Sequence, residues 1–270
     1  MTKIALITGA SSGIGAETAL LFAQKGYTVY GASRSGRLPK LPDDALGLLL
    51  PLNMDVTDEE SVKQGAAQVL RAEGCIDVLV HAAGNGISGP LECCTAEDAQ
   101  RQMEVNFYGA IRLLNAVLPS MREKGSGHVV LVGSVGGIFA VPFQVLYSSS
   151  KAALAILCEG LRMELKPFGV KAAVVEPGDV KTGFTDARKP IEGTCEAYRE
   201  ACTHAITRME KDEQGGMHPR MVASAIFRTA EKKNPRAHTV VGGVYRIFVF
   251  LKRILPYGLV EKLLYGMYLK

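Results

Sequence analysis

Short apolar runs alternate along the chain with longer segments whose apolar positions recur every three or four residues. The runs are "KIALIT" at 3–8, "TVYGA" at 28–32, "LLLPLNM" at 48–54, "IDVLVHA" at 76–82, "HVVLVGS" at 128–134, "VKAAVVEP" at 170–177 and "HTVVG" at 238–242. Their nearly continuous apolar character predicts strands buried on both faces. The periodic segments at 14–25, 58–72, 97–123, 147–167 and 219–232 predict helices, and Thr57-Asp58-Glu59-Glu60 supplies a start signal for the second. Strands alternating with helices imply an α/β fold, a doubly wound parallel sheet with helices on both faces.

Two stretches fall outside this alternation. Residues 178–218 are polar, bounded by glycine and irregular in pattern, and a segment of that length is expected to serve as a lid over substrate. Residues 243–270 form an amphipathic extension, which Pro256 divides into pieces too short to span a bilayer. No repeat or linker interrupts the 270 residues, so residues 1–270 read as a single domain.

Charge changes the picture only at the C-terminus. The net charge of +4 resides in residues 241–270, where Arg246, Lys252, Arg253, Lys262 and Lys270 face one acid, Glu261. The balanced remainder argues against nucleic acid as a partner. The basic, apolar tail is open to three readings: a lid over the substrate, a partner interface, or peripheral contact with an anionic membrane. The cysteines Cys75, Cys93, Cys94, Cys158, Cys195 and Cys202 form no CxxC pair and no zinc-spaced cluster, which predicts no metal and a reducing, cytoplasmic setting. The opening "MTKIALITGASSGIG" carries no export signal.

Candidate chemistry begins where the first run ends, in "TGASSGIG" at 8–15. Gly9, Ser11, Ser12, Gly13, Ile14 and Gly15 form a strand, a tight glycine-rich turn and a helix start, the context in which backbone N–H groups receive a pyrophosphate. The second run leads to Ser33-Arg34, with Arg37 beyond and no carboxylate nearby. A free ribose 2′-hydroxyl is usually met by an acid and a 2′-phosphate by arginine, so NADP(H) is the expected cofactor, with Arg34 as its main contact.

Tyr147 and Lys151 lie four residues apart in "YSSSK" and share one face of a helix. A nearby cation favours a phenolate, which brings a tyrosine into range for proton transfer. Taken alone, the pair also describes an ordinary amphipathic helix start.

Together the motifs resemble the short-chain dehydrogenase/reductase family over residues 3 to 182. The resemblance rests on "TGASSGIG", Asp55-Val56, "HAAG" at 81–84, Asn106 in "VNFYGA", Ser134, "YSSSK" and "PGDVKT" at 177–182. It implies a Rossmann-type sheet and a catalytic set of Asn106, Ser134, Tyr147 and Lys151. Ser134 would bind the substrate oxygen, Tyr147 would protonate it, Lys151 would hold the nicotinamide ribose and depress the tyrosine pKa, and Asn106 would anchor a proton-relay water. It also implies cofactor contacts at Asp55, Val56, Ala83, Gly84, Pro177, Gly178, Val180 and Thr182, and pairing into homodimers or homotetramers through the helices at 97–123 and 147–167. His81 stands where the family usually has asparagine.

Val141, Phe143 and Phe184 flank this set and predict a lipophilic substrate pocket with Ser134 and Tyr147. The extended tail is similar to those of hydroxysteroid, retinol and acyl-dihydroxyacetone-phosphate reductases. The leading expectation is an oxidoreductase interconverting a lipophilic ketone or aldehyde with its alcohol. Beside it stand a 3-oxoacyl-thioester reductase, a non-catalytic NADP-binding regulator and a membrane-surface lipid-binding protein.

Overall fold

The computed structural model describes residues 2–191 and 195–270. Seven strands form a wholly parallel sheet in the order β3-β2-β1-β4-β6-β7-β9. They are β1 (Ile4–Thr8), β2 (Thr28–Ser33), β3 (Leu48–Asn53), β4 (Val78–His81), β6 (Gly127–Val132), β7 (Val170–Pro177) and β9 (His238–Val241). Each coincides with one of the seven apolar runs, shifted by a residue or two at its ends.

Alternating side chains feed two cores. Ile4, Leu6, Val129, Leu131, Ala172 and Val174 pack on one face with helices α2 (Glu59–Glu73), α4 (Gly109–Lys124) and α5 (Val145–Leu165). Ala5, Ile7, Val130, Val132 and Val175 pack on the other with α1 (Gly13–Gln24) and α8 (Pro219–Ala230). A strand with partners on both faces has no reason to place a polar residue on either, hence the continuous runs. Helix α2 begins at Asp58, whose carboxylate accepts the Ser61 N–H, and ends at Gly74 in the left-handed region at φ +75.

The single helix expected over 97–123 is three pieces. Helix α3 (Ala96–Met103) opens on a capping box between Thr95 and Asp98, passes through a π-helical turn at Glu104–Tyr108 and resumes as α4. The extra residue of that turn carries Asn106 into the core, a common placement of such turns at functional sites. The apolar period continues through it, so the sequence pattern does not register the break.

The segment at 178–218 is not irregular throughout, and its residues 192–194 lie outside the described ones. It holds a short helix α6 (Phe184–Ala187), a strand β8 (Lys189–Pro190) paired with β5 (Ile87–Ser88), and the four-turn helix α7 (Arg199–Gln214). Helix α7 buries only Cys202, Ala205 and Met209, a stripe too thin to stand out from its charged neighbours. The extension forms α9 (Gly243–Ile254) and α10 (Tyr257–Tyr268), which part at Pro256. Among the described residues no helix is long and apolar enough to cross a membrane.

Candidate active site

The strand order reverses between β1 and β4, and a cleft of about 1150 Å³ opens beyond the C-terminal ends of the strands around that point. Ligands of open α/β sheets bind at such a reversal. One end of the cleft is lined by the β1–α1 turn, the end of β2 and Met54 to Thr57; the other is walled by α7, α9 and α10.

The glycine-rich turn is built for close approach. Gly9 has φ +69, and a Cβ there would lie 2.9 Å from the Ala82 and Ala83 backbone. Ser12 occupies the cap of α1, yet its side chain makes no capping bond, so the first-turn N–H groups stay open to an anion. Ser33 Oγ, at the end of β2, is buried without a partner among the described residues. Arg34 is exposed at the cleft mouth, whereas Arg37 does not line the cleft. Asp55 is fixed by accepting both the backbone N–H and the hydroxyl of Thr57, at 2.9 and 2.8 Å. An open helix terminus, an unpaired donor and an unneutralised guanidinium suit a dinucleotide. Ala83, Gly84, Pro177, Gly178, Val180 and Thr182 line the same cavity.

Helix α5 carries Tyr147 and Lys151 on one face, with the Lys151 ammonium 5.9 Å from the Tyr147 ring centroid. Its Nζ donates to the Val132 carbonyl at 2.9 Å, and burial pulls its pKa down to about 8. Tyr147 is half-buried in the wall of the cleft. Burial pushes its pKa up to about 12; Ser134 beside it works the other way, and the charges of Glu213 and Asp179 reinforce the rise. The depressed tyrosine pKa expected from Lys151 is therefore not the condition of the free protein, where burial is the largest influence on the phenol.

Asn106 is fully buried and ties three segments together. Its Oδ1 accepts the Asn85 N–H at 2.9 Å, while Nδ2 donates to the Asn85 carbonyl at 3.1 Å and to Ser150 Oγ at 3.0 Å. Ser150 in turn donates to the Tyr147 carbonyl at 2.7 Å, so Asn106 fixes the first turn of α5. Ser134 Oγ accepts the Gly136 N–H at 2.9 Å, which leaves its own proton free for the cleft.

His81 is buried beneath this cluster. Thr8 Oγ1 already accepts the N–H groups of Ala82 and Ala83, so it donates its proton to His81 Nδ1 at 3.1 Å. Burial, then the Lys151 charge, hold the imidazole down to about 3, and it stays neutral.

Val141 and Phe184 line the cleft, with Phe184 tilted against Tyr147 at 5.5 Å between centroids. Phe143 does not. Its backbone takes φ +58, its carbonyl accepts the Gly89 N–H at 2.8 Å, and its ring packs on Tyr198. The tail, for which a lid is one of three readings, completes the far wall with Phe248 and Leu251 from α9, Leu255 just beyond it, and Val260, Leu263 and Met267 from α10. Lys252 pins α9 to the loop after Ser134 by donating to the Ile138 carbonyl. Gln144, Asp179, Glu213 and Tyr245 also enter the cleft. Of these, Asp179 stood within the quoted "PGDVKT" motif.

Residues 3–192 match the short chain dehydrogenase family. The chain is 39% identical over 262 residues to a 3-ketodihydrosphingosine reductase of Bacteroides thetaiotaomicron, covering 96% of this chain and 95% of that one. It is 40% identical over 193 residues to the human 17-beta-hydroxysteroid dehydrogenase type 1, covering 68% of this chain and 58% of the relative. Among solved structures, a short chain dehydrogenase/reductase of Burkholderia phymatum in complex with NAD superposes with a TM-score of 0.81 at 26% identity, covering 94% and 93% of the two chains. An alcohol dehydrogenase of the archaeon Thermococcus sibiricus complexed with 5-hydroxy-NADP gives 0.71 at 27% identity, covering 91% and 98%.

Proposed function

Because the chain belongs to the short-chain dehydrogenase/reductase family, we propose that it is an NADP(H)-dependent oxidoreductase reducing the ketone of a long-chain lipid. The observation that carries this reading is the convergence of Ser134, Tyr147 and Lys151 on one cleft that joins a glycine-rich turn to an apolar wall. The name of the Bacteroides relative supplies the substrate class, a long-chain ketone of the 3-ketodihydrosphingosine type. NADP(H) over NAD(H) is supported by the exposed Arg34 and by the lack of a carboxylate at the end of β2.

A nicotinamide cofactor, when bound, supplies the hydride to the carbonyl carbon. The residues of the chain manage the oxygen. Ser134 Oγ–H donates to the carbonyl oxygen and orients it toward Tyr147. Tyr147 Oη releases its proton to that oxygen as the alcohol forms, and its raised pKa keeps the proton in place at neutral pH until then. Lys151, still protonated at pH 7, stands ready to stabilise the resulting phenolate. Helices α9 and α10 keep water from the apolar arm of the cleft.

The test is NADPH oxidation with 3-ketodihydrosphingosine, a 17-ketosteroid, retinal and a 3-oxoacyl thioester, with NADH in parallel. Turnover of the long-chain ketone with NADPH is expected. Tyr147→Phe should lower kcat by about a thousandfold while leaving NADPH affinity near that of the parent. Arg34→Asp should move preference toward NADH by tenfold or more, about one charge-assisted contact. Turnover by the Tyr147→Phe variant at the parent rate rejects the proton-donor role, and tight NADPH binding without turnover of any ketone moves the reading to a regulator.

A further inference from the structure

The long arm of the cleft is apolar, but its catalytic end is not. Asp179, from the turn after β7, and Glu213, from the end of α7, both line it, and both act on the Tyr147 hydroxyl. Their neutralisation differs. Glu213 is taken by the buried Arg188 guanidinium and by the Thr185 hydroxyl. Asp212 nearby is paired with Arg208 at 2.8 Å, and Lys211 is exposed to solvent. Asp179 makes no ion pair among the described residues; its one side-chain partner is the Tyr245 hydroxyl. Burial raises its pKa, and the Tyr245 hydroxyl and the more distant Arg188 charge offset that only in part.

A second, independent observation points to a ligand. Gln144 lines the same cavity three residues before Tyr147, is only 5% exposed, and its amide Nε2 has no partner among the described residues. A buried donor without an acceptor costs stability unless a ligand or water supplies one. Among the described residues the cleft therefore offers, next to the proton donor, one carboxylate without an ion pair and one unfilled donor.

We infer that Asp179 binds an ammonium group carried by the substrate beside its reacting carbonyl, and that Gln144 Nε2 donates to a hydroxyl of the same head group. The inference rests on the reading of the protein as a long-chain ketone reductase and narrows its substrate to a 2-amino-3-ketone with a terminal hydroxyl. The ammonium replaces the missing counter-ion, the hydroxyl fills the amide, and the hydrocarbon chain lies along Phe248, Leu251, Leu255, Leu263 and Met267. A steroid or retinoid carries no cation and leaves the half-buried Asp179 with the Tyr245 hydroxyl alone.

The experiment compares the holoenzyme on three matched ketones: the long-chain 2-amino-3-ketone, its N-acetyl derivative and the chain lacking nitrogen. The parent is expected to favour the amino-ketone in kcat/KM by at least tenfold, the scale of one hydrogen bond to a charged group. In Asp179→Asn that ratio should fall toward one, mainly through KM, and reading a ratio cancels any general loss of activity. Gln144→Leu should erase the preference for the 1-hydroxy over the 1-deoxy amino-ketone. A ratio preserved in Asp179→Asn, or no preference in the parent, overturns the inference. If no ketone turns over, the reductase reading fails. Calorimetry of a long-chain 2-amino alcohol against its N-acetyl form, with NADP+ bound, then decides the subsite: a preference present in the parent and lost in Asp179→Asn sustains it, and any other pattern overturns it.

Discussion

His81 shows how a single residue is committed by its surroundings. Its Nδ1 is occupied by the Thr8 proton and its ring is sealed under the Asn106 turn, so the folded chain refuses a proton that the unfolded chain accepts below the ordinary value of 6.5. The folded pKa is depressed for a base, so stability is fully present above about pH 6.5 and is lost as pH falls toward 3. By pH 5 this one group should remove about 2 kcal/mol. Urea midpoints of the parent should drop between pH 7.5 and pH 5, and His81→Asn, which has nothing to protonate, should drop distinctly less. Equal drops in the two proteins would show that the acid sensitivity lies elsewhere.

Among the elements, α9 and α10 carry the substrate argument. Both are amphipathic, and Phe248, Leu251, Leu263 and Met267 line the cleft while Ile247, Phe250 and Ile254 are exposed outside it. The inner face gives the extension a place as a wall of the cavity, and Lys252 fastens it to the loop that follows Ser134. Each methylene buried there is worth roughly 0.8 kcal/mol, about fourfold in affinity. For saturated 3-ketones of rising chain length, kcat/KM should climb steeply in the parent, and the slope should flatten in the Phe248→Ala, Leu263→Ala double variant. An unchanged slope would mean that the chain leaves the cleft by another route. The outward apolar face with Arg246, Arg253 and Lys262 keeps contact with an anionic lipid surface as a further reading of the extension.

At the scale of the whole molecule, the parallel sheet leaves the α4 and α5 faces without a covering layer. Ile156 and Met163, seven residues apart on one side of α5, are 67% and 72% exposed, and Tyr108 and Phe168 are each 42% exposed. Large apolar side chains in such a stripe are expected to pair copies of the chain. Sedimentation should give a dimer or tetramer, and Ile156→Glu with Met163→Glu should return monomers; a monomeric parent would refute this pairing. The same sheet, by reversing its order between β1 and β4, sets the glycine-rich turn and the Tyr147–Lys151 pair on one cleft.

The sequence by itself determined the seven strands. For the five inner ones the reason is that a strand buried on both faces has to be apolar throughout and that requirement is local, whereas β3 and β9, at the sheet edges, are apolar without being fully buried. The sequence also determined the glycine-rich turn and the spacing of Tyr147 and Lys151, since a turn and a helix face are set by neighbours in the chain. The π-helical turn at Asn106, the helix α7 and the placing of Phe143 on Tyr198 were settled by tertiary contacts that local periodicity does not encode. Proton affinity belonged wholly to the tertiary structure. Lys151 beside Tyr147 suggested a lowered phenol, but the free protein raises it, because burial depends on everything packed around a group. For the same reason Asp179 read as one motif letter among six in the sequence. Only the folded cleft, with Glu213 neutralised by Arg188 and Gln144 left unfilled, shows it as a carboxylate beside Tyr147 that has no ion pair among the described residues.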